Sequence, residues 1–347
     1  MPQFVPRPLI RYRRSPGRNL AATLLLVGLS LAAFAGAGRA DAASPDGERI
    51  DVGDITLNSV LLEPAGKPQL PPVVFLHGAS TSLLDPMFSF RQALEGKARL
   101  LFVDRPGHGK SGAGPAKYIL PDAQADAIAL LMERRGITRA IIVGHSFGGA
   151  ITAELAVRHP DKVAGLVFLS PAVYPWKGGV DWYYNAASVP IAGWIFSTLI
   201  APPIGFFALD TAAKAVFAPN TMPADYVQKT KASQALNPVS FHRNAEEIAA
   251  LNDWAKTASP LYRNIRAPTV VITGDTDDIV SPQIHSEQLA RDIPGASLFV
   301  VHNLGHKSDY VARDLAVAAI ETVAGKHPDL DAIRRAVEER IAGDGKP

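Results

Sequence analysis

Six short apolar runs, residues 73–76, 100–103, 140–143, 163–169, 269–273 and 297–301, alternate along this chain with stretches of helical period. The helical patterns fall at 87–95, 122–135, 149–158, 282–291 and 309–324. Runs that short and that uniformly apolar read as strands buried on both faces. Strands that alternate with helices pair side by side in parallel, because each helix carries the chain back to the start of the next strand. The predicted class is therefore α/β, a mostly parallel central sheet flanked by helices. Ahead of it, alternation in 49–52 and 55–62 across Gly53-Asp54 predicts a β-hairpin.

The alternation stops between 172 and 266. That stretch has no clear strand, is rich in Trp, Tyr, Phe and Pro, and sits between two predicted sheet strands. An inserted helical cap is the expected assignment. Residues 186–209 are apolar enough to suggest a membrane span, but Pro190, Pro202 and Pro203 would break such a helix. The expected division is a leader over 1–42, the first part of the core over 43–171, the cap over 172–266, the second part of the core over 267–325, and a charged C-terminal helix and tail over 326–347.

Residues 1–42 have a basic start, with Arg7, Arg11, Arg13, Arg14 and Arg18, then an apolar stretch from 20 to 38, then Ala40-Asp41-Ala42. This is the layout of a secretory signal cleaved after Ala42, or of an uncleaved N-terminal anchor. Export is common to both, so the expected location is periplasmic or extracytoplasmic, with membrane association through this segment. Six arginines and one aspartate lie within it, so 29 basic and 32 acidic residues remain beyond it, a balance near −3. The basic character belongs to the leader, and no cluster of Lys and Arg with interleaved aromatics is left to suggest nucleic-acid binding. The chain has no cysteine, which excludes disulfides, thiolate catalysis and a Cys-type zinc site.

Directly after the third run comes Gly144-His145-Ser146-Phe147-Gly148, followed by a helical pattern. A serine on a tight strand-to-helix turn is a candidate nucleophile, with the glycines there because a side chain at either would collide at the bend. A serine hydroxyl needs an imidazole to take its proton and a carboxylate to hold that imidazole. Downstream, the fifth run ends in Gly274-Asp275-Thr276-Asp277-Asp278 and the sixth in His302-Asn303-Leu304-Gly305-His306. The order Ser, Asp, His results, with three carboxylates competing for the second place.

These residues and the strand order around them resemble the α/β-hydrolase family from about Pro71 to Val323. The resemblance implies Ser146 as nucleophile, Asp277 as acid and His306 as base. It implies two backbone donors for the oxyanion, one at Phe147 and one at Ala79 in the loop His77-Gly78-Ala79-Ser80. It also gives Asp104-Arg105-Pro106-Gly107-His108-Gly109-Lys110-Ser111 a structural role near the rim of the site.

The other histidines carry no metal-ligand spacing, and Gly107–Ser111 fails the phosphate-loop pattern because Asp104 stands where its first glycine belongs. His77 is expected to hold its loop, His108 to make a loop contact, and His159, His242, His285 and His327 to lie on surfaces or in the cap. No cofactor and no metal are expected. Aromatics of the insert, among them Trp176, Trp182 and Trp194, divide between its own core and an apolar pocket. The expected activity is hydrolysis of a carboxylic ester of an apolar small molecule through an acyl-enzyme, with no nucleic-acid partner. Lactone opening, carbon–carbon hydrolysis and perhydrolysis use the same triad. A non-catalytic binding protein of this fold would be marked by a missing triad residue, and all three are present.

Overall fold

The computed structural model describes residues 47–177 and 201–344. An eight-stranded sheet organises them, built from β1 Glu48–Asp51, β2 Thr56–Leu62, β3 Val73–Leu76, β4 Leu100–Val103, β5 Ala140–His145, β6 Val163–Leu169, β7 Thr269–Gly274 and β8 Ser297–Val301. The order across the sheet is β1-β2-β4-β3-β5-β6-β7-β8. Only the hairpin end is antiparallel: β1 with β2 and β2 with β4. Every other neighbouring pair is parallel.

The helices among the described residues are α1 Leu84–Leu94, α2 Pro121–Arg134, α3 Phe147–Arg158, α4 Ala201–Phe217, α5 Tyr226–Lys229, α6 Pro238–Ala258, α7 Ser286–Asp292, α8 Ser308–Val311, α9 Arg313–Val323 and α10 Leu330–Gly343. Period-two alternation sorts the strand side chains between two cores. Val74, Leu76, Leu101, Val103 and Ile142 join one core with α2 and α3. Val73, Phe75, Leu100, Phe102, Ile141 and Val143 join the other with α1, α9 and α10. There Phe75 stacks between Phe90 and Phe102 at ring separations of 5.0 and 4.7 Å. Each such pair adds about 1 kcal/mol to the burial of its area.

Parallel strands end on a common edge, so the segments that follow β3, β5, β7 and β8 gather there. The helix after β3 covers one face of the sheet and the helix after β5 the other. Adjacent strands whose connections leave to opposite faces open a crevice at their carboxyl ends. The His77 loop and Ser146 stand on its two sides.

Two predicted helices differ in detail. The pattern over 309–324 is interrupted at Ala312, which leaves α8 and α9 as separate helices. The short α8 turns Ser308 and Asp309 into the interior, where Asp309 meets Lys307. The pattern from Pro282 becomes helical only at Ser286, and His285 in the intervening turn is buried. Between β6 and β7 the described residues form helices and no strand.

Candidate active site

Ser146 closes β5 with φ 53° and ψ −119°, a conformation that a residue bearing Cβ adopts only under constraint. The constraint is visible. The Ser146 N–H donates to Leu169 O at 3.0 Å, and its carbonyl accepts from Gly149 and Ala172 at 2.9 and 3.1 Å. A Cβ on Gly144 would lie 2.2 Å from Thr152 Oγ1 and 2.4 Å from Gly148 O, which is a collision across the bend. One on Gly148 would instead strike the neighbouring strand, 2.2 Å from Leu76 O. The two glycines thus admit different neighbours, one the helix and the other β3.

His306 and Asp277 are brought together by the turns after β8 and β7. Nδ1 of His306 donates to Asp277 Oδ2 at 2.8 Å, and both residues are buried. The other carboxylate oxygen accepts the N–H groups of Ile279 and Val280 at 3.0 and 2.9 Å. Asp275 has a different partner: it meets His302 Nδ1 at 2.7 Å and accepts from Asn303 N–H at 2.7 Å, stitching the two turns together. Asp278 is exposed. Gly274 and Gly305 let these turns approach, since a Cβ on the first would overlap Leu304 O and on the second Ala218 O.

Ser146 Oγ makes no hydrogen bond to His306 or to any other described residue. Its neighbour His145 supplies the link, with its ring centroid 4.8 Å from that of His306 and its Nε2–H donating to His306 O at 2.9 Å. Since Nδ1 of His306 points at Asp277, its Nε2 is the ring nitrogen left to accept a proton. Burial, reinforced by the Lys307 charge, pushes the pKa of His145 well below the usual range and keeps it neutral.

The loop after β3 packs directly on the serine. A Cβ on Gly78 would stand 3.2 Å from Ser146 Cβ. The N–H groups of Ala79 and Phe147 have no acceptor among the described residues; for Phe147 this follows from its place in the first turn of α3. His77 holds the loop: its Nε2 accepts from Arg105 N–H at 3.0 Å, so Nδ1 carries the hydrogen and donates to Gly78 O at 2.8 Å. Asp104 orders the next segment by accepting from Leu83, Lys110 and Asn58.

Several buried polar residues were not legible as site residues. Arg105, His108, Gln124 and Glu247 form one network, with Glu247 Oε2 3.0 Å from Arg105 Nη1 and 2.9 Å from His108 Nε2. Burial raises the Glu247 pKa, but Arg105 and His108 outweigh it and hold the carboxyl below its usual value. His285, expected on a surface or in the insert, is instead buried beside the site. Its Nδ1 accepts from Val173 and Tyr174 N–H at 3.1 and 3.0 Å, and burial lowers its pKa to about 4.

Below His145 lies a cavity of about 10 Å³ lined in part by His77, Asp85, His145 and Asp309. One ligand-capable atom from each of Asp85, His145 and Asp309 falls within 4.8 Å of the others. The positive charge in this cluster is the Lys307 ammonium, 2.9 Å from Asp85 and 3.0 Å from Asp309. The sequence carries no spacing signal for it, because its members come from three separate segments. Of the aromatics of the insert, Trp182 and Trp194 lie outside the described residues, as does the leader. Among the described residues no helix is long and apolar enough to cross a membrane.

A profile of the alpha/beta hydrolase fold matches residues 71–308. The chain is 27% identical over 286 residues to 2-(acetamidomethylene)succinate hydrolase of Mesorhizobium japonicum, a match that covers 78% of this chain and 92% of that protein. Shorter matches of higher identity span only 26% and 36% of the curated relatives concerned. Among solved structures, an enol-lactonase from Burkholderia xenovorans superposes with a TM-score of 0.61 at 23% identity, over 80% of this chain and 100% of that one. An esterase from Exiguobacterium antarcticum gives 0.64 at 20% identity, over 80% and 99%. With the profile running from just before β3 through the His306 turn, this chain belongs to the α/β-hydrolase fold family.

Proposed function

We propose that the protein is a serine hydrolase that cleaves a carboxylic ester of an apolar small molecule without a cofactor. The observation that carries this reading is the strained Ser146 at the end of β5, one residue from an imidazole that packs, tilted, against the His306 ring of the His306–Asp277 pair. Ser146 Oγ attacks the ester carbonyl carbon as His306 Nε2 takes its proton. Asp277 holds the ring by its Nδ1–H and stabilises the imidazolium. The N–H groups of Phe147 and Ala79 receive the charge that forms on the carbonyl oxygen. His306 returns the proton to the leaving alcohol, and water, deprotonated by the same imidazole, releases the acid from Ser146. Each step moves one proton between Ser146, His306 and substrate or water.

Apolar substrates are favoured by the aromatic-rich insert that covers 172–266 and that we assign as a cap. The names of relatives and neighbours, which include esterases and an enol-lactonase, are in keeping with an ester or its cyclic form. Product analysis over a panel of linear esters, lactones and a β-diketone tests the assignment. Turnover of esters that vanishes in Ser146→Ala is the expected result; turnover confined to the β-diketone would replace ester cleavage by carbon–carbon hydrolysis. We further propose export, directed by residues 1–42, and mass spectrometry of the mature N-terminus distinguishes cleavage after Ala42 from retention as an anchor.

A further inference from the structure

We propose that α6, a helix of the inserted segment, forms a working part of the oxyanion site. Asn244 through its clamp on the neighbouring Ser80, and Glu247 through Arg105, fix the direction in which the Ala79 N–H points. The inference rests on the hydrolase reading above and adds two positioning residues to it.

The first argument is one of peptide geometry. Gly78 C=O and Ala79 N–H belong to a single planar, trans peptide unit, so they point in opposite directions. Whatever grips the carbonyl therefore aims the N–H. Three donors grip it: His77 Nδ1 at 2.8 Å, Arg105 Nη2 at 3.1 Å and Thr81 Oγ1 at 3.2 Å. Reversing this peptide would break all three bonds, one of them to a charged donor in a buried setting.

The second argument concerns what holds Arg105. Its side chain is wholly buried, and burial lowers its pKa against the opposing pull of Glu247. Glu247 comes from α6 and is the carboxylate 3.0 Å from the guanidinium. The same guanidinium sits 4.4 Å from the centre of the Phe147 ring, so it touches one proposed donor residue and, through Gly78 O, the peptide unit of the other. A buried arginine without its carboxylate would not stay in place, since an uncompensated buried charge is strongly disfavoured. The position of α6 is thereby transmitted to the peptide.

The third argument is strain. Ser80 holds φ 55°, and Asn244 clamps it with both ends of its amide. Ser80 N–H donates to Asn244 Oδ1 at 2.8 Å and Asn244 Nδ2 donates to Ser80 Oγ at 3.0 Å. Asn244, Glu247 and Leu251 recur at helical spacing on the buried face of α6, and Arg243 beside them reaches the Ala113 carbonyl at 3.2 Å. An insert that merely covered a site would not need to bury an amide and a carboxylate against the loop below it.

The test measures kcat and KM on a p-nitrophenyl ester, and Ki for a trifluoromethyl ketone of the same acyl group, in the full chain. The variants are Asn244→Ala, the double variant Asn244→Ala/Ser80→Gly, and Glu247→Gln, with circular dichroism and thermal melts to check folding. Asn244→Ala is expected to lower kcat by about 10- to 100-fold with KM nearly unchanged, because it displaces a transition-state donor. Ki should rise by the same factor as kcat/KM falls. Adding Ser80→Gly should recover several-fold of the loss, since glycine holds a positive φ without strain. Glu247→Gln should act in the same direction; should it fail to fold, the Asn244 and Ser80 variants decide alone. Unchanged kcat and Ki in folded Asn244→Ala, beside a wild type whose turnover depends on Ser146, would overturn the inference and leave the hydrolase reading standing. A wild type with no ester turnover and no Ser146 dependence removes both.

Discussion

Nδ1 of His306 and Oδ2 of Asp277 are 2.8 Å apart, and the second oxygen of that carboxylate is already committed to two backbone N–H groups. The carboxylate cannot swing away, so the imidazole has one orientation and one tautomer. Asp277→Asn keeps the shape but offers an N–H where the histidine needs an acceptor. We expect kcat to fall by on the order of 10³-fold or more, as loss of a tautomer-setting carboxylate does elsewhere. Asp275→Asn, which alters the contacts to His302 and Asn303, should leave kcat within a few-fold of wild type. Steady-state kinetics of the two variants side by side checks this, and the opposite ranking would place the acid at Asp275.

The elbow glycines tolerate no Cβ for a reason of space. Gly148→Ala would put a methyl group 2.2 Å from Leu76 O, a backbone atom of β3 that cannot step aside alone. Destabilisation by about 3 kcal/mol is expected, at the upper end for overpacking. Urea unfolding followed by circular dichroism measures it; a cost below 1 kcal/mol would mean that α3 can shift away from β3.

His285 sets an acid-side limit on stability. Its Nδ1 accepts two N–H bonds, so the ring can take a second proton only at the cost of both, and its pKa is lowered to about 4. A histidine whose folded pKa lies below its unfolded value of about 6.5 contributes stability at high pH. That contribution is complete above the unfolded value and is lost as pH falls through about 4. The difference in unfolding free energy between wild type and His285→Asn should therefore shrink by about 3 kcal/mol between pH 7 and pH 4. Parallel urea titrations across that range check it, and a difference constant with pH would contradict the assignment.

Lys307 is buried between Asp85 and Asp309 directly after His306. Burial disfavours its charge, but the two carboxylates outweigh that and raise its pKa. Lys307→Met leaves two buried carboxylates without a cation and should cost about 3–5 kcal/mol. Thermal melts at neutral pH measure this. The triple variant Lys307→Met/Asp85→Leu/Asp309→Leu, which removes the charges together, should regain a large part of the loss; no recovery would show that packing rather than charge sets the cost.

The strands were legible because β3 to β7 are buried on both faces, and a run such as Val73–Leu76 has no polar residue to confuse it. Ser146 and His306 were legible because each sits against glycines that the backbone requires. Asp277 was separable from Asp275 by family resemblance but not by spacing, since both follow β7 by one to three residues and only the folded turns show which faces His306. The Arg105–Glu247 pair left no trace in the sequence. Its members are 142 positions apart, and burial of a carboxylate on α6 becomes intelligible only once that helix lies against the Asp104–Ser111 loop. His285 was misplaced for the opposite reason: a lone histidine in a polar stretch reads as surface, and its two backbone donors, Val173 and Tyr174, come from the segment after β6, 112 and 111 positions away.

The central claim is that Ser146 is a nucleophile activated by His306. Reaction of the folded protein with a fluorophosphonate, followed by peptide mass spectrometry, tests it most directly. One adduct on Ser146, formed in wild type, absent in Ser146→Ala and strongly slowed in His306→Ala, is the predicted result. Folded wild-type protein that acquires no adduct on Ser146, or labels equally fast without His306, would contradict it.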